Sequence, residues 1–409
     1  MDAAEELTPA TGLYISIPFC RSKCTYCNFS SGVYPASDHT RYVDRLIQDL
    51  GAAETWALDL GLELNRTVDT VYLGGGTPSL LSPELLLRLF NEVHARFALL
   101  PDAEITMECA PGQIAGSTLD AMAACGVNRV SLGVQSFIDS EAHASGRLHN
   151  RAMVEDDLRR LRAAGIANLN LDLIAGLAGQ TFASWDESLS ALIDAGVPHA
   201  SVYMLEVDED SRLGRELLGG GSRYRAGLVP SDEAIATMYE RAIERLAEAG
   251  LRQYEISNFS QPGRESRHNL RYWQRRPYLG VGLDASSALR EKTGPVKERS
   301  VLRSTMTDDL KAYLASPQPA EIAWLSLQRQ HEEAWFLGLR MNGGVEIAAL
   351  LREFGPRMVE PALAVARRLA ADGLLAVEDE FVRLTARGRM LSNDVFQEFL
   401  AAAHAEPAA

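Results

Sequence analysis

No stretch of this chain is apolar for long enough to cross a bilayer, and its start, Met1-Asp2-Ala3-Ala4-Glu5-Glu6, has neither the basic head nor the apolar middle of a secretory signal. The expectation is a cytoplasmic protein with no membrane span, which leaves open a peripheral association with a membrane. Cysteine is scarce, five in 409 residues with three of them between Cys20 and Cys27. That is no disulfide framework, and it suits a reducing compartment. Positive charge is also in deficit: 40 Lys and Arg against 55 Asp and Glu give a formal charge of −15, which argues against a nucleic acid as the main partner. No fixed-period repeat occurs, and no low-complexity run beyond the short Ala-rich end at Ala409. What remains, 46% hydrophobic and 23% charged, is enough for a large core and more than one domain.

Short apolar runs alternate with longer amphipathic ones. Strands are predicted at Leu13–Ile17, Val68–Leu73, Glu104–Cys109, Arg129–Gln135, Asn168–Ile174 and Ala200–Glu206. Helices are predicted at Thr40–Leu64, Pro83–Ala98, Ser117–Cys125, Val154–Ala164, Ser184–Ala195 and Asp232–Ala249, with Ser82-Pro83 as a cap followed by a first-turn proline. Six such βα units imply an α/β fold, a parallel sheet curled into a partial (β/α)6 barrel by right-handed crossovers, with ligands at the carboxyl ends of the strands. The distinctive residues do fall just after strands or at their ends: the three cysteines, then Gly74-Gly75-Gly76-Thr77-Pro78, Glu108, Gln135, Asp172 and Glu206.

The spacing Cys20-x-x-x-Cys24-x-x-Cys27 suits thiolates looped around one inorganic centre. A structural zinc site closes with four ligands, often as two C-x-x-C pairs, and there is no second pair; zinc with Cys109 as fourth ligand stays open as the other reading. Three ligands and one open position fit a [4Fe–4S] cluster whose fourth iron takes something else. The Gly74-Gly75-Gly76 run lacks the lysine of a P-loop and the spacing of a dinucleotide fold, so it reads as backbone opened beside a ligand or as a plain turn.

The strings Ile17-Pro18-Phe19-Cys20, Leu73-Gly74-Gly75-Gly76-Thr77-Pro78, Leu132-Gly133-Val134-Gln135-Ser136-Phe137, Gly146-Arg147-Leu148-His149, Leu171-Asp172-Leu173-Ile174 and His268-Asn269-Leu270-Arg271-Tyr272-Trp273 together resemble the coproporphyrinogen III oxidase-like radical S-adenosylmethionine (SAM) family, from about Leu13 to Leu400. The resemblance implies that Cys20, Cys24 and Cys27 hold a [4Fe–4S] cluster. It implies further that Tyr14 and Tyr26 flank the cluster and SAM, that Gly75, Gly76 and Thr77 run along SAM, and that Glu108, Gln135, Arg147 and Asp172 are its polar contacts. Within the family, the decarboxylating branch resembles C-x-x-x-C-x-x-C-x-C, whereas this chain has Cys27-Asn28-Phe29. Phe29 and the His268–Trp273 string resemble the HemW branch, which implies haem binding, with His268 as a candidate site residue, and delivery of haem to an acceptor protein. An oxygen-independent coproporphyrinogen III oxidase-type activity and a radical enzyme that modifies haem are the alternatives. Two departures from the family pattern stand out: Ser286 where relatives carry a histidine, and Glu108-Cys109-Ala110-Pro111 in place of Glu-Ala-Asn-Pro.

The organisation expected from these readings is a tail (1–12), a core barrel (13–220), an extension with the His268–Trp273 segment (221–304), a small helical, winged-helix-like carboxyl-terminal domain (305–400) and a tail (401–409). The last domain is expected to pack over the barrel mouth.

Overall fold

The structure, a computed structural model, describes residues 9–292, 300–315, 319–378 and 380–402; the outermost parts of the two expected tails, 1–8 and 403–409, lie outside the described residues. Six strands, Thr11–Ile17, Thr67–Gly75, Ala98–Cys109, Arg129–Gln135, Asn168–Ala175 and His199–Met204, pair in parallel in chain order. Each presents two different faces. In the fourth strand Val130, Leu132 and Val134 join the main apolar core, while the alternate residues Arg129, Ser131, Gly133 and Gln135 line an interior cavity. Helices close the outer layer and bury one apolar stripe each; Pro83–Arg96 starts on Ser82, whose hydroxyl accepts from the Leu85 N–H, and buries Leu86, Leu89, Phe90 and Val93.

The sheet does not stop at six strands. Tyr278–Val281 adds a seventh parallel strand beside Thr11–Ile17, and Ser286–Glu291, Val301–Thr305 and Glu321–Leu325 continue antiparallel beyond it. At the other edge Asn258–Ser260 and Arg252–Glu255 turn back antiparallel. The two outermost strands do not pair with each other, so the barrel is open. Tyr278–Val281 has no legible period over four residues that include Gly280, so no strand was expected there.

Some boundaries move. The helix expected over Thr40–Leu64 runs Ala36–Asp59; Gly61, at φ +68°, turns the chain, and Leu62–Glu63 returns as a two-residue strand against Ser286–Glu291. The sixth strand ends at Met204, which leaves Glu206 on the following loop.

The carboxyl-terminal module begins with the helix Leu327–Arg340 and carries a three-stranded antiparallel sheet built from Val345–Glu346, Leu375–Val377 and Phe381–Leu384. Its own core centres on Trp335, stacked 4.7 Å from Phe399, with Leu339, Val359, Ala366 and Val382. The main sheet therefore runs across the expected 304/305 division and reaches Leu325. The module packs against the short helix Arg267–Trp273 and the strands of the extension, joined by Arg275–Glu353 and Arg303–Glu333 ion pairs. The helix Arg267–Trp273 is bonded to the early parts of the barrel strands through Asp69, Thr70 and Glu104. The expectation that the module covers the barrel mouth is thus corrected: it lies at the amino-terminal ends of the strands, away from the cysteines.

Candidate functional site

The cysteine loop follows the first strand and is fixed on several sides. Phe19 anchors its start, buried and stacked 3.8 Å from His39, and the Cys20 N–H donates to the Gly32 carbonyl at 2.8 Å. The Thr25 N–H donates to Ser145 O at 3.0 Å, and Ser22 Oγ to Gly146 O at 2.9 Å. Gly146 has φ +89°, and a Cβ there would meet Cys24 Cα at 3.2 Å, so only glycine lets the two segments approach so closely.

All three thiols face one cavity of about 560 Å³ at the carboxyl ends of the strands, and each has a polar neighbour: Thr77 Oγ1 lies 3.9 Å from Cys20 Sγ, Arg147 Nη1 3.6 Å from Cys24 Sγ, and Ser31 Oγ 3.9 Å from Cys27 Sγ. Burial pushes the Cys20 thiol up, against the smaller pull of its Ser31 and Thr77 hydrogen bonds. Cys109 also borders the cavity, but its Sγ is directed at Met107 O, 3.9 Å away in the core, and burial pushes its thiol up to about 12. Among the described residues no three His, Cys, Asp or Glu side chains converge on a single ion, as the ligands of a zinc site would. Thiolates that each hold a different iron of a larger cluster stand farther apart, and this donor set fits that case.

The glycine loop forms the next wall. Gly76 N–H donates to Ile17 O at 2.8 Å, and a Cβ on Gly76 would lie 2.8 Å from Ile17 O, Phe19 O and Pro18 C, all backbone atoms that cannot swing aside. Gly75 has φ +101° and donates its N–H to Glu108 Oε2 at 3.2 Å, while Tyr72 donates its hydroxyl to Glu108 Oε1 at 2.8 Å. Burial pushes the Glu108 carboxyl up to about 7 against the pull of the Tyr72 hydrogen bond. Asp172 accepts from Ser131 at 2.9 Å and Asn170 at 2.7 Å, yet burial still raises it. Gln135 has φ +68°, an uncommon conformation for this residue type, and its buried Oε1 has no partner among the described residues. A strained backbone and an unsatisfied amide oxygen in a residue that lines the cavity mark a site prepared for a polar ligand.

Of the expected site residues, then, Cys20, Cys24, Cys27 and Tyr26, with Gly75, Gly76 and Thr77 and with Glu108, Gln135, Arg147 and Asp172, border this one cavity. Tyr14 and His268 do not border it. Tyr14 stacks on Tyr72 at 6.1 Å and on His268 at 6.4 Å, a layer beneath the cavity wall. His268 is 1% exposed, with Nδ1 bonded to Thr70 Oγ1 at 2.9 Å and Nε2 to the Tyr272 hydroxyl at 2.8 Å; burial drives its pKa down to about 3, so the ring is neutral. With both nitrogens engaged, the imidazole ties the helix Arg267–Trp273 to the second strand, and binding an iron through it requires breaking one of those two bonds.

Sequence reasoning missed Arg129. It is 2% exposed and borders the cavity; its buried Nε has no hydrogen-bond partner, and no ion pair within 4.0 Å is found among the described residues. Ser131, Asn170 and Ser201 form the neighbouring polar floor, with Asn170 Nδ2 bonded to both serines at 2.7 and 3.0 Å. Their signal was the strict alternation of polar and apolar positions along the strands, legible once the inward face is known.

Comparison with known proteins agrees with this geometry. Residues 14–192 match the Radical SAM superfamily, and residues 325–391 match the HemN C-terminal domain. Heme chaperone HemW of Lactococcus lactis is 32% identical over 393 residues, spanning 95% of this chain and 96% of that protein. Heme chaperone HemW of Escherichia coli is 30% identical over 402 residues, spanning 96% and 99%, and that of Mycobacterium tuberculosis H37Rv is 34% identical over 398, spanning 95% and 94%. Coproporphyrinogen III oxidase (HemN) of Escherichia coli, described as a radical SAM enzyme, has the same fold with a TM-score of 0.79 at 21% identity, covering 96% of this chain and 90% of that one. Three thiols on one loop beside an open cavity, and likeness over nearly the whole length of these relatives, lead to one assignment: the chain belongs to the HemW family of radical SAM proteins.

Proposed function

We propose that this protein is a haem-binding chaperone of the cytoplasm that passes haem to an acceptor protein. The observation that carries the reading is likeness at 30–34% identity, over 94–99% of their length, to HemW proteins named for that role. The site agrees at one discriminating position. Phe29 borders the cavity and is 65% exposed, and its neighbour Asn28, also at the cavity, bonds Asp208 at 3.0 Å. A fourth thiol in the loop, the mark of the decarboxylating branch, is thus replaced by an apolar ring at the rim. No helix of the described residues is long and apolar enough to cross a membrane, and all five cysteines are free, which suits the proposed compartment.

Cys20, Cys24 and Cys27 would hold the cluster, and the Gly75–Thr77 backbone with Glu108, Gln135, Arg147 and Asp172 would hold SAM. When bound, the cluster supplies electrons to the SAM sulfonium. The chain's part is binding and exclusion. Arg147 keeps positive charge on Cys24, the Glu108 carboxyl faces a cationic ligand, and the Tyr72 hydroxyl orients that carboxyl. These groups would fix SAM beside the loop.

The test is anaerobic and uses the full chain with its cluster reconstituted. Haem added to the protein should give a Soret band that moves to an apo haem enzyme on mixing, and coproporphyrinogen III with SAM and a reductant should stay undecarboxylated. Stoichiometric formation of protoporphyrinogen would replace the chaperone with the oxidoreductase.

A further inference from the structure

A second cavity, about 180 Å³, lies on the other side of the helix Arg267–Trp273, between the sheet extension and the carboxyl-terminal module. The two cavities share that helix as a wall: Asn269 borders the first, Tyr272 and Trp273 the second. Four guanidiniums reach the second one. Arg275 and Arg276 come from the turn that ends the helix, Arg290 and Arg303 from strands of the extension. In a chain of net charge −15 this concentration of one sign needs a reason.

The turn itself supplies part of it. Arg276 N–H donates to Arg271 O at 3.0 Å and Arg275 N–H to Tyr272 O at 3.1 Å, the paired bonds that end a helix on a left-handed residue. That residue is Arg275, with φ +53°, where glycine would carry no strain. The strained conformation turns two consecutive arginines toward one hole.

The carboxylates that balance them are shared. Asp69 bonds both Arg271 and Arg276, the latter at 2.9 Å, and Glu353 grips Arg275 at 2.6 Å while also facing Arg290 at 3.9 Å. Arg303 bonds Glu333 at 3.0 Å through Nη2, but its Nε is buried with no partner, and so is Trp273 Nε1. The lining is therefore rich in donors and poor in acceptors, with flat rings of Tyr272, Trp273 and Tyr278 beside them. Such a lining takes an anion, and planar guanidiniums favour carboxylates. A whole tetrapyrrole needs several times this volume, whereas a carboxylate edge fits.

We propose that this cavity is the docking point for the propionate edge of haem, with Arg276 and Arg303, each 37% exposed and with N–H donors to spare, taking the two carboxylates. The proposal rests on the haem-binding reading above and adds which edge of the molecule enters, and where.

The test compares haem with its dimethyl ester, which keeps the ring and iron and removes both charges, on the full-length protein and on Arg276→Met/Arg303→Met. Absorbance in the Soret region and quenching of tryptophan fluorescence report binding. Haem should bind the unaltered protein at least tenfold more tightly than the ester does, and the double substitution should abolish that preference while leaving ester affinity within about twofold. Arg276→Lys/Arg303→Lys should retain part of the preference. If the ester and haem bind the unaltered protein equally well, the propionates dock elsewhere and the proposal falls while haem binding stands; this arm decides even if the Met variant does not fold. If a folded Met variant keeps the full preference, these arginines are not the anchors. If the unaltered protein binds neither compound, the haem reading fails and takes this site with it.

Discussion

Replacing Glu108 by Gln should flatten the pH dependence of stability over a defined window. In the folded chain burial lifts this carboxyl to about 7, against its ordinary 4.5. Below 4.5 the group is protonated in both folded and unfolded chains, and it contributes no difference. As pH rises from 4.5 to 7 the unfolded chain loses the proton and the folded one keeps it, so stability falls; above 7 the full cost is present. At about 1.4 kcal/mol per pH unit the ceiling is roughly 3 kcal/mol, and water entering the cavity lowers it toward about 1 kcal/mol. Urea unfolding of the cluster-free protein from pH 4.5 to 8 should therefore show Glu108→Gln gaining about 1–3 kcal/mol on the unaltered chain across that range. The comparison uses the change with pH, because the amide also loses the bond from the Gly75 N–H and so shifts the whole curve. Binding carries the same sign in reverse: a cationic ligand against this carboxylate favours its ionised form, so SAM should release a proton at pH 6.5 and bind more tightly as pH approaches 7. Calorimetry in two buffers of different ionisation enthalpy measures that proton. Parallel stability curves, within about 0.5 kcal/mol, together with no proton release, would show that Glu108 is ionised throughout and that the burial argument is wrong.

What the sequence made legible follows from length and spacing. The six parallel strands each carry a run of apolar residues long enough to show, and the cysteine and glycine motifs sit at their carboxyl ends, so the barrel and one side of its cavity could be assembled from the chain alone. Arg129 was not legible, because at the beginning of a strand it looks like a surface residue; its burial depends on five other strands closing around it. His268 was legible as a residue, but its hydrogen bonds were not. Thr70, nearly two hundred positions earlier in the chain, takes one of its nitrogens, and no local pattern reports such a contact. The second cavity escaped for the same reason: its arginines come from a helix end and two strands of the extension, and only the fold brings them together. Residues read from consecutive spacing were found; those defined by distant partners were not.

Two further outcomes test the first cavity. Alanine at Cys20, Cys24 or Cys27 should remove the broad visible absorption and the acid-labile sulfide of the anaerobically reconstituted protein, whereas Cys109→Ala and Cys125→Ala should retain both; loss of iron from Cys109→Ala would reopen the four-ligand reading. Arg129→Met should separate a ligand-binding role from a structural one, because a buried guanidinium without a hydrogen-bond partner adds little to the empty fold while its charge draws Glu108 and Asp172 toward ionisation. The variant should unfold within about 1 kcal/mol of the unaltered chain, titrate Glu108 above its present value and bind SAM at least tenfold more weakly; a variant that is destabilised by 3 kcal/mol or more and still binds SAM normally would make Arg129 a structural ion, and its place in the cavity wall incidental.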